Sequence, residues 1–404
     1  MAEDKFITGK ARGNSIAFVA PFAYPLLTAG DVAATGGAER QFFLFARGLE
    51  KRGWDVSFIT SEPDAEKCAG PTVFPVHYAH FSYLGGPKWR MPKEWLSLWR
   101  AMKRADSDYY VLKVPGFLLT PMSVFCKKYK RRLAFWAQMP YDADPSRRRG
   151  AIRAAGFLQD WGLKRADVVI AQTEDQKKDF QDNFGIRADV VPSICDRLDA
   201  AYPFRRNASK PDNPEIDVLW AGNTQLKKRQ EVFFKLAKIL PHRKFAIALS
   251  NSDPSRFECA MQDAENLPNV RFLGTVPSCR MEGWFKKVKI LINTSDEEGF
   301  PNTFLQAWMN RVPVISLGVD PDDIIGDFSL GEVVGREEVA RCGTDYAEMA
   351  GLLVPRVEDL LSKSEKRKAM GIAGENFVRE RHASSVAVSR LINVLTANRH
   401  GDLK

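Results

Sequence analysis

The chain has 404 residues, of which 45% are hydrophobic and 27% charged, the proportions of a soluble globular protein long enough for two domains. No apolar run reaches the length of a membrane span, and the start Met1-Ala2-Glu3-Asp4-Lys5 lacks a basic-then-apolar signal pattern. The formal charge of +9 is uneven: residues 1–210 carry 33 Lys and Arg against 23 Asp and Glu, and the remainder 26 against 27, so a basic surface is expected of the first half alone. The six cysteines are scattered and form no Cys-x-x-Cys pair, and no His/Cys cluster is visible among five histidines. Free thiols in a reducing, cytoplasmic setting are expected, and a structural zinc is not.

In chain order, Ser15–Ala20 reads as a first strand, stopped by Pro21. A long loop ends in Gly36-Gly37, and Phe42, Phe43, Phe45, Ala46 and Leu49 then give a helix an apolar face. Gly53 fits the end of that helix, before a second strand at Asp55–Thr60. Further strands are expected at Tyr109–Lys113, Leu133–Ala137 and Val168–Ala171, with helices including Trp95–Lys103 and Leu118–Lys130 between them. Thr173 is placed to cap the next helix. Strand and helix in alternation predict a parallel sheet covered on both faces.

Residues 197–214 are polar and contain Pro203, Pro211 and Pro214, as an interdomain linker would. A second alternating set follows, with strands at Val218–Ala221, Lys244–Ser250, Val270–Leu273, Ile290–Ile292, Pro313–Ser316 and Glu332–Val334. The first of these leads into Gly222-Asn223-Thr224-Gln225-Leu226-Lys227-Lys228-Arg229 and a helix at Glu231–Ile239. Helices from Lys363 onward close the chain, the last at about Ser385–Thr396.

The chemistry concentrates after Ile290–Ile292. Asn293, Thr294 and Ser295 end that strand, acids follow, and Glu298-Gly299-Phe300-Pro301 turns into a helix whose first turn suits Pro301. Amides from Gly299 to Thr303, around Phe300 and Asn302, would face out of the helix start as a site for a diphosphate. Glu298 would stand at the carboxyl end of the strand, where open α/β sheets bind ligands. Gln306, about two turns along, can exchange hydrogen bonds with hydroxyl groups.

Glu298-Gly299-Phe300-Pro301-Asn302-Thr303-Phe304-Leu305-Gln306 resembles the signature of retaining GT-B glycosyltransferases of family 4, Glu, seven residues, Glu, with Gln in the last place. Gly36-Gly37-Ala38-Glu39-Arg40-Gln41 resembles the first motif of that family, and Asp167-Val168-Val169-Ile170-Ala171 its late first-domain strand. The resemblance covers nearly the whole chain. It implies an α/β fold of two Rossmann-like domains with parallel sheets facing a central cleft: residues 1–196 for the acceptor, 215–380 for the nucleotide-sugar donor, and 381–404 crossing back. By the same resemblance Glu298 contacts the donor sugar, and Gly37, Asn223, Lys228 and the turn amides lie at its diphosphate. Gln306 would hold the ribose, and Gly274 and Val276 the base. Asn223 stands where the family has Arg, and Trp54 and Ser193 also depart from its pattern. The implied reaction is sugar transfer from a nucleotide diphosphate sugar to a saccharide hydroxyl, lipid-linked or in polysaccharide biosynthesis. Retention and no metal or other cofactor are implied with it.

Gln138 and Asp142, after a first-domain strand, are candidate acceptor or sugar contacts. Asp142-Ala143-Asp144 has a spacing that holds a metal in a different glycosyltransferase fold, but its place here favours a loop or acceptor role. Lys127-Lys128-Tyr129-Lys130-Arg131-Arg132 ends a helix containing Met122, Val124 and Phe125. It reads either as a solvated helix end or as a patch for an anionic membrane surface. No nucleic-acid motif accompanies it. The rival readings are a non-catalytic membrane-surface scaffold and an epimerase or phosphorylase of the same fold.

Overall fold

A computed structural model of the chain describes residues 13–28, 36–63, 71–81, 91–113, 116–195 and 214–397. The expected linker lies outside these residues apart from Pro214. Two compact units emerge, Met1–Ile194 with Ser384–Lys404, and Cys195–Ala383.

The first unit carries β1 (Ser15–Val19), β2 (Asp55–Ser61), β3 (Val76–Ala79), β4 (Tyr109–Leu112), β5 (Arg132–Trp136), β6 (Val168–Ala171) and β7 (Asp189–Val190). They form one sheet in the order β3-β2-β1-β4-β5-β6-β7, with every pairing parallel. The second unit carries β8 (Ile216–Asn223), β9 (Phe245–Ser250), β10 (Val270–Gly274), β11 (Val288–Asn293), β12 (Val314–Leu317) and β13 (Gly331–Val334). Their order is β10-β9-β8-β11-β12-β13, again parallel throughout. The strands expected from apolar runs are all present. The short β3 and β7, with polar residues such as His77 and Asp189, carried too little apolar pattern to be read.

Alternation builds both layers of core. In β8, Val218 and Trp220 join one apolar layer and Leu219, between them, the other, as the two-residue strand period requires. In the first unit the Phe18 ring meets Phe42 of the helix Gly37–Glu50 at 4.6 Å and Phe58 of β2 at 5.5 Å. That helix ends at Glu50. Gly53 lies beyond it at φ 78°, in the turn into β2 rather than in the cap itself.

The last helix, Ser384–Ala397, belongs to the first unit. A Cβ on Gly48 would lie 2.4 Å from a methyl of Val388, so the bare glycine admits the close crossing. Tyr109 donates its hydroxyl to the Leu395 carbonyl at 3.1 Å, and Arg52 donates to that of Ser385 at 2.8 Å.

Candidate functional site at the sheet switch point

In the second unit the chain moves outward from β8 through β9 to β10, then returns to place β11 on the other side of β8. The carboxyl ends of β8 and β11 therefore flank a topological switch point, the usual ligand position of an open α/β sheet. One loop leaves β8 through the turn Leu226–Lys228 to the helix Gln230–Ile239. The other leaves β11 through Thr294–Pro301 to the helix Asn302–Met309.

Thr294, fully buried, ties the two loops together. Its hydroxyl oxygen accepts the Trp220 indole N–H at 2.8 Å, and its proton faces the carbonyls of Lys228 at 2.7 Å and Arg229 at 3.0 Å. The Asp296 amide donates to the Lys227 carbonyl at 2.7 Å, and the Arg229 guanidinium donates to the Asp296 carboxylate at 2.7 Å. Arg229 also takes φ 48°, which starts its helix immediately after the turn. These contacts fix the direction of Lys228.

Lys228 Nζ donates to Oε1 of Glu298, and Ser295 Oγ donates to the same oxygen at 2.7 Å. Oε2 of Glu298 has no hydrogen-bond partner among the described residues. The Glu298 side chain is 12% exposed and that of Lys228 18%. Burial alone would raise the Glu298 pKa, but the Lys228 ammonium and the Ser295 hydroxyl outweigh it and hold the carboxyl below its usual range. Glu298 is therefore a carboxylate with one committed oxygen and one open one.

Beside it, Pro301 is the N-cap of the helix Asn302–Met309, one residue earlier than the first-turn place expected for it. Phe304 closes the first turn by donating to the Pro301 carbonyl at 3.1 Å. Neither Gly299 nor Thr303 donates its amide to a described backbone carbonyl, so the turn keeps N–H donors available as helix geometry dictates. The Phe300 ring packs on His382 at 5.0 Å, which anchors the turn. Gln306 is half-buried, and its side-chain amide makes no hydrogen bond among the described residues. Gly274 ends β10 at φ 63°, next to a register shift, and Val276 packs partly on the core at the same edge of the sheet. Asn223 Oδ1 accepts the Gln225 amide at 3.1 Å and so shapes its own loop.

The first unit reverses its strand order between β1 and β4. Gly37 opens the helix Gly37–Glu50, which leads into β2, after the N-cap Gly36. A Cβ on Gly36 would meet a carboxylate oxygen of Glu39 at 2.3 Å. Gln138 follows β5, half-buried, with its side-chain amide unengaged among the described residues. Asp142 is buried. One oxygen accepts the amides of Gln138 at 2.8 Å and Met139 at 2.9 Å, and the other accepts Gln159 Nε2 at 3.3 Å. Its carboxylate caps the loop, so of the two candidate contacts the half-buried Gln138 side chain is the one without a committed partner among the described residues. Asp144 accepts Ser146 and pairs with Arg147 at 2.9 Å, so the two aspartates serve separate turns. Among the described residues no group of three His, Cys, Asp or Glu side chains is arranged to hold a metal ion.

Several residues of these sites were not singled out in the sequence. Thr294 reads in the sequence only as a strand-ending residue, because its partners, the Trp220 indole and the Lys228 and Arg229 carbonyls, are distant in the chain; Ser295 ends the strand likewise and meets Glu298 three residues on. Lys113, one residue past β4, reads in the sequence as part of that strand, yet it is buried with its ammonium 4.9 Å from the Trp136 ring centroid. Burial pushes its pKa down to about 7 against the pull of Glu39 and Asp142. Burial likewise raises the pKa of Glu39, opposed by its own backbone hydrogen bond and by Lys113. A lysine at the end of an otherwise apolar strand was the available signal.

Residues 35–196 match the family Glycosyltransferase Family 4, and residues 215–354 match Glycosyl transferases group 1. Among solved structures, a sucrose-phosphate synthase from Thermosynechococcus elongatus aligns over 96% of this chain and 100% of its own, with TM-score 0.72 and 15% identity. The pneumococcal O-GlcNAc transferase GtfA, in complex with UDP and GlcNAc, aligns over 96% and 100%, with TM-score 0.72 and 10% identity. A Listeria monocytogenes protein assigned as a UDP-N-acetylglucosamine 2-epimerase aligns over 96% and 97%, with TM-score 0.63 and 11% identity. At these identities the likeness is one of fold. Comparison with curated proteins by sequence gives no match.

Proposed function

The chain belongs to the GT-B glycosyltransferases of family 4 and group 1, and from that premise we propose that it moves a sugar from a nucleotide diphosphate sugar to a saccharide hydroxyl, with retention and without an obligatory metal. The observation that carries this reading is the Lys228–Glu298 pair beside the open amides of the following helix. In the proposed reaction the bond from the anomeric carbon to the diphosphate oxygen breaks and a bond to the acceptor oxygen forms on the same face. The acceptor proton passes to the departing diphosphate, so no protein nucleophile takes part. Lys228 has further N–H donors beyond the one on Glu298. With the amides of Gly299 and Thr303 it stabilises charge on the leaving diphosphate.

Oε2 of Glu298 accepts from a sugar hydroxyl in this account. Gln306 holds the ribose, and Gly274 and Val276 lie against the base. Gly37 lies at the donor diphosphate and Gln138 serves the sugar and acceptor side, while Asp142 supports Gln138 through its amide. The acceptor is proposed to be a lipid-linked saccharide at the cytoplasmic face of a membrane, as in polysaccharide biosynthesis. The test is a thermal-shift panel of nucleotide sugars, followed by transfer or donor hydrolysis with any that bind. A donor at 100 times its Kd should add about 2.7 kcal/mol of stability. No stabilisation by any nucleotide sugar would favour a non-catalytic scaffold.

A further inference from the structure

The basic stretch at the end of the helix Leu119–Tyr129 offers less membrane surface than its sequence implies. Arg131 is buried and paired with Asp106 at 2.6 Å and Asp108 at 3.4 Å. Met122 and Phe125 are buried as well, and the Lys128 ammonium lies over the Trp99 and Tyr129 rings, 5.8 Å from each centroid. Of the apolar residues there, Val124 alone is markedly exposed, at 46%.

The neighbouring helix, Gly156–Leu163, is different. Phe157 is 70% exposed, the highest value among the exposed large hydrophobic residues described, and Trp161 is 39% exposed. They stand at i and i+4, with Lys164 at i+7, so all three share one face. The Arg165 guanidinium stacks on the Trp161 ring at 3.7 Å from its centroid. Arg153, just before the helix, is exposed. The acid on this helix, Asp160, is held by the buried Arg148 at 2.8 Å and does not offset these cations. On its other side the helix is closely fitted. A Cβ on Gly162 would meet the backbone of Leu119 at 2.6 Å, and Thr120 donates its hydroxyl to the Leu158 carbonyl at 2.6 Å. The aromatic pair is therefore held outward on a packed helix.

We infer that Phe157 and Trp161, flanked by Arg153, Lys164 and Arg165, are the element by which this protein docks on an anionic lipid bilayer. Exposed aromatic rings of this kind settle at the headgroup level of a membrane. Basic residues beside them are drawn by the negative surface, and the attraction falls off within a Debye length. Charge complementarity selects this occupant: three exposed cations flank the two rings, the helix's own acid is held by Arg148, and an anionic bilayer supplies negative charge at any register. The inference deepens the lipid-linked acceptor part of the proposed function. Binding is read without donor or acceptor, so failure of the catalytic reading leaves it standing.

The experiment is sedimentation of the full chain with vesicles of phosphatidylcholine alone or with a third phosphatidylglycerol. The wild type should pellet with the anionic vesicles only and return to the supernatant in 1 M salt. Phe157→Ala with Trp161→Ala, and separately Arg153→Glu with Lys164→Glu, should keep the wild-type Tm. Each cation removed should lower the partition coefficient about fivefold, and the aromatic pair should lower it at least as much as one cation does. Lys127→Glu with Lys128→Glu, on the adjacent helix, should lower it less than Arg153→Glu with Lys164→Glu. Equal recovery of the wild type in the supernatant with both vesicles overturns the inference. So does wild-type partitioning by both helix-face variants. So does light scattering that finds a dimer dissociated by Phe157→Ala with Trp161→Ala, which would make the face a contact between copies.

Discussion

Lys228 and Glu298, 70 residues apart in the chain, meet as an ion pair at the carboxyl ends of adjacent strands. The pair keeps Glu298 ionised despite its burial. Its folded pKa is lowered, so its contribution to stability is present above the ordinary value of 4.5 and is lost as pH falls through the folded value.

Lys228→Met should reverse that sign. Burial then dominates, the Glu298 pKa rises, and the acid limb of the pH–rate profile moves to higher pH. Stability at pH 7 should fall by about 2–4 kcal/mol because a mostly buried carboxylate loses its partner. Urea denaturation at pH 5 and pH 7, with the pH profile of turnover, measures both. An acid limb in its wild-type place would remove Lys228 from control of Glu298.

Thr294→Val keeps the shape and removes the hydroxyl. The buried Trp220 N–H then lacks an acceptor, and the Lys228 carbonyl loses its donor. The expected cost is about 1–3 kcal/mol by denaturant titration. Turnover should also fall, because the loop that aims Lys228 is released. A stability loss with unchanged turnover would make the tie purely structural.

Gln306→Ala should raise the donor KM more than it lowers kcat. Contacts to a ribose are made equally in ground and transition states. Initial-rate kinetics at varied donor concentration decide it, and an unchanged KM would move Gln306 out of the donor site.

Lys113→Met should stabilise the protein, with a defined pH signature. Burial disfavours the charged form, so between pH 10.5 and about 7 the unfolded lysine binds a proton more readily than the folded one. The penalty grows as pH falls through that window and is constant below it. A displacement from 10.5 to about 7 corresponds to at most about 5 kcal/mol. The variant's advantage should therefore be small at pH 10 and full at pH 6, by thermal or urea unfolding. An advantage independent of pH would mean that Lys113 packs without titrating.

Much of this was legible in the chain. The runs Val218–Ala221 and Ile290–Ile292 read as buried strands because both faces of a parallel sheet are covered, and Glu298 and Lys228 stood out by motif. What stayed hidden depends on partners distant in sequence. Asp142 looked like a cleft residue until its oxygens were found capping Gln138 and Met139. Arg131 looked like surface charge until Asp106 and Asp108 closed around it. Phe157 and Trp161 belong to no motif, and the sequence of a short helix does not tell which of its faces lacks a neighbour.

The most direct measurement is the transfer rate of Glu298→Ala, with a donor selected by thermal shift. The account predicts a loss of about 100-fold or more in kcat, with the helix-turn amides still binding the diphosphate, so that the donor continues to raise the variant's Tm. Wild-type turnover by Glu298→Ala with that donor would contradict it.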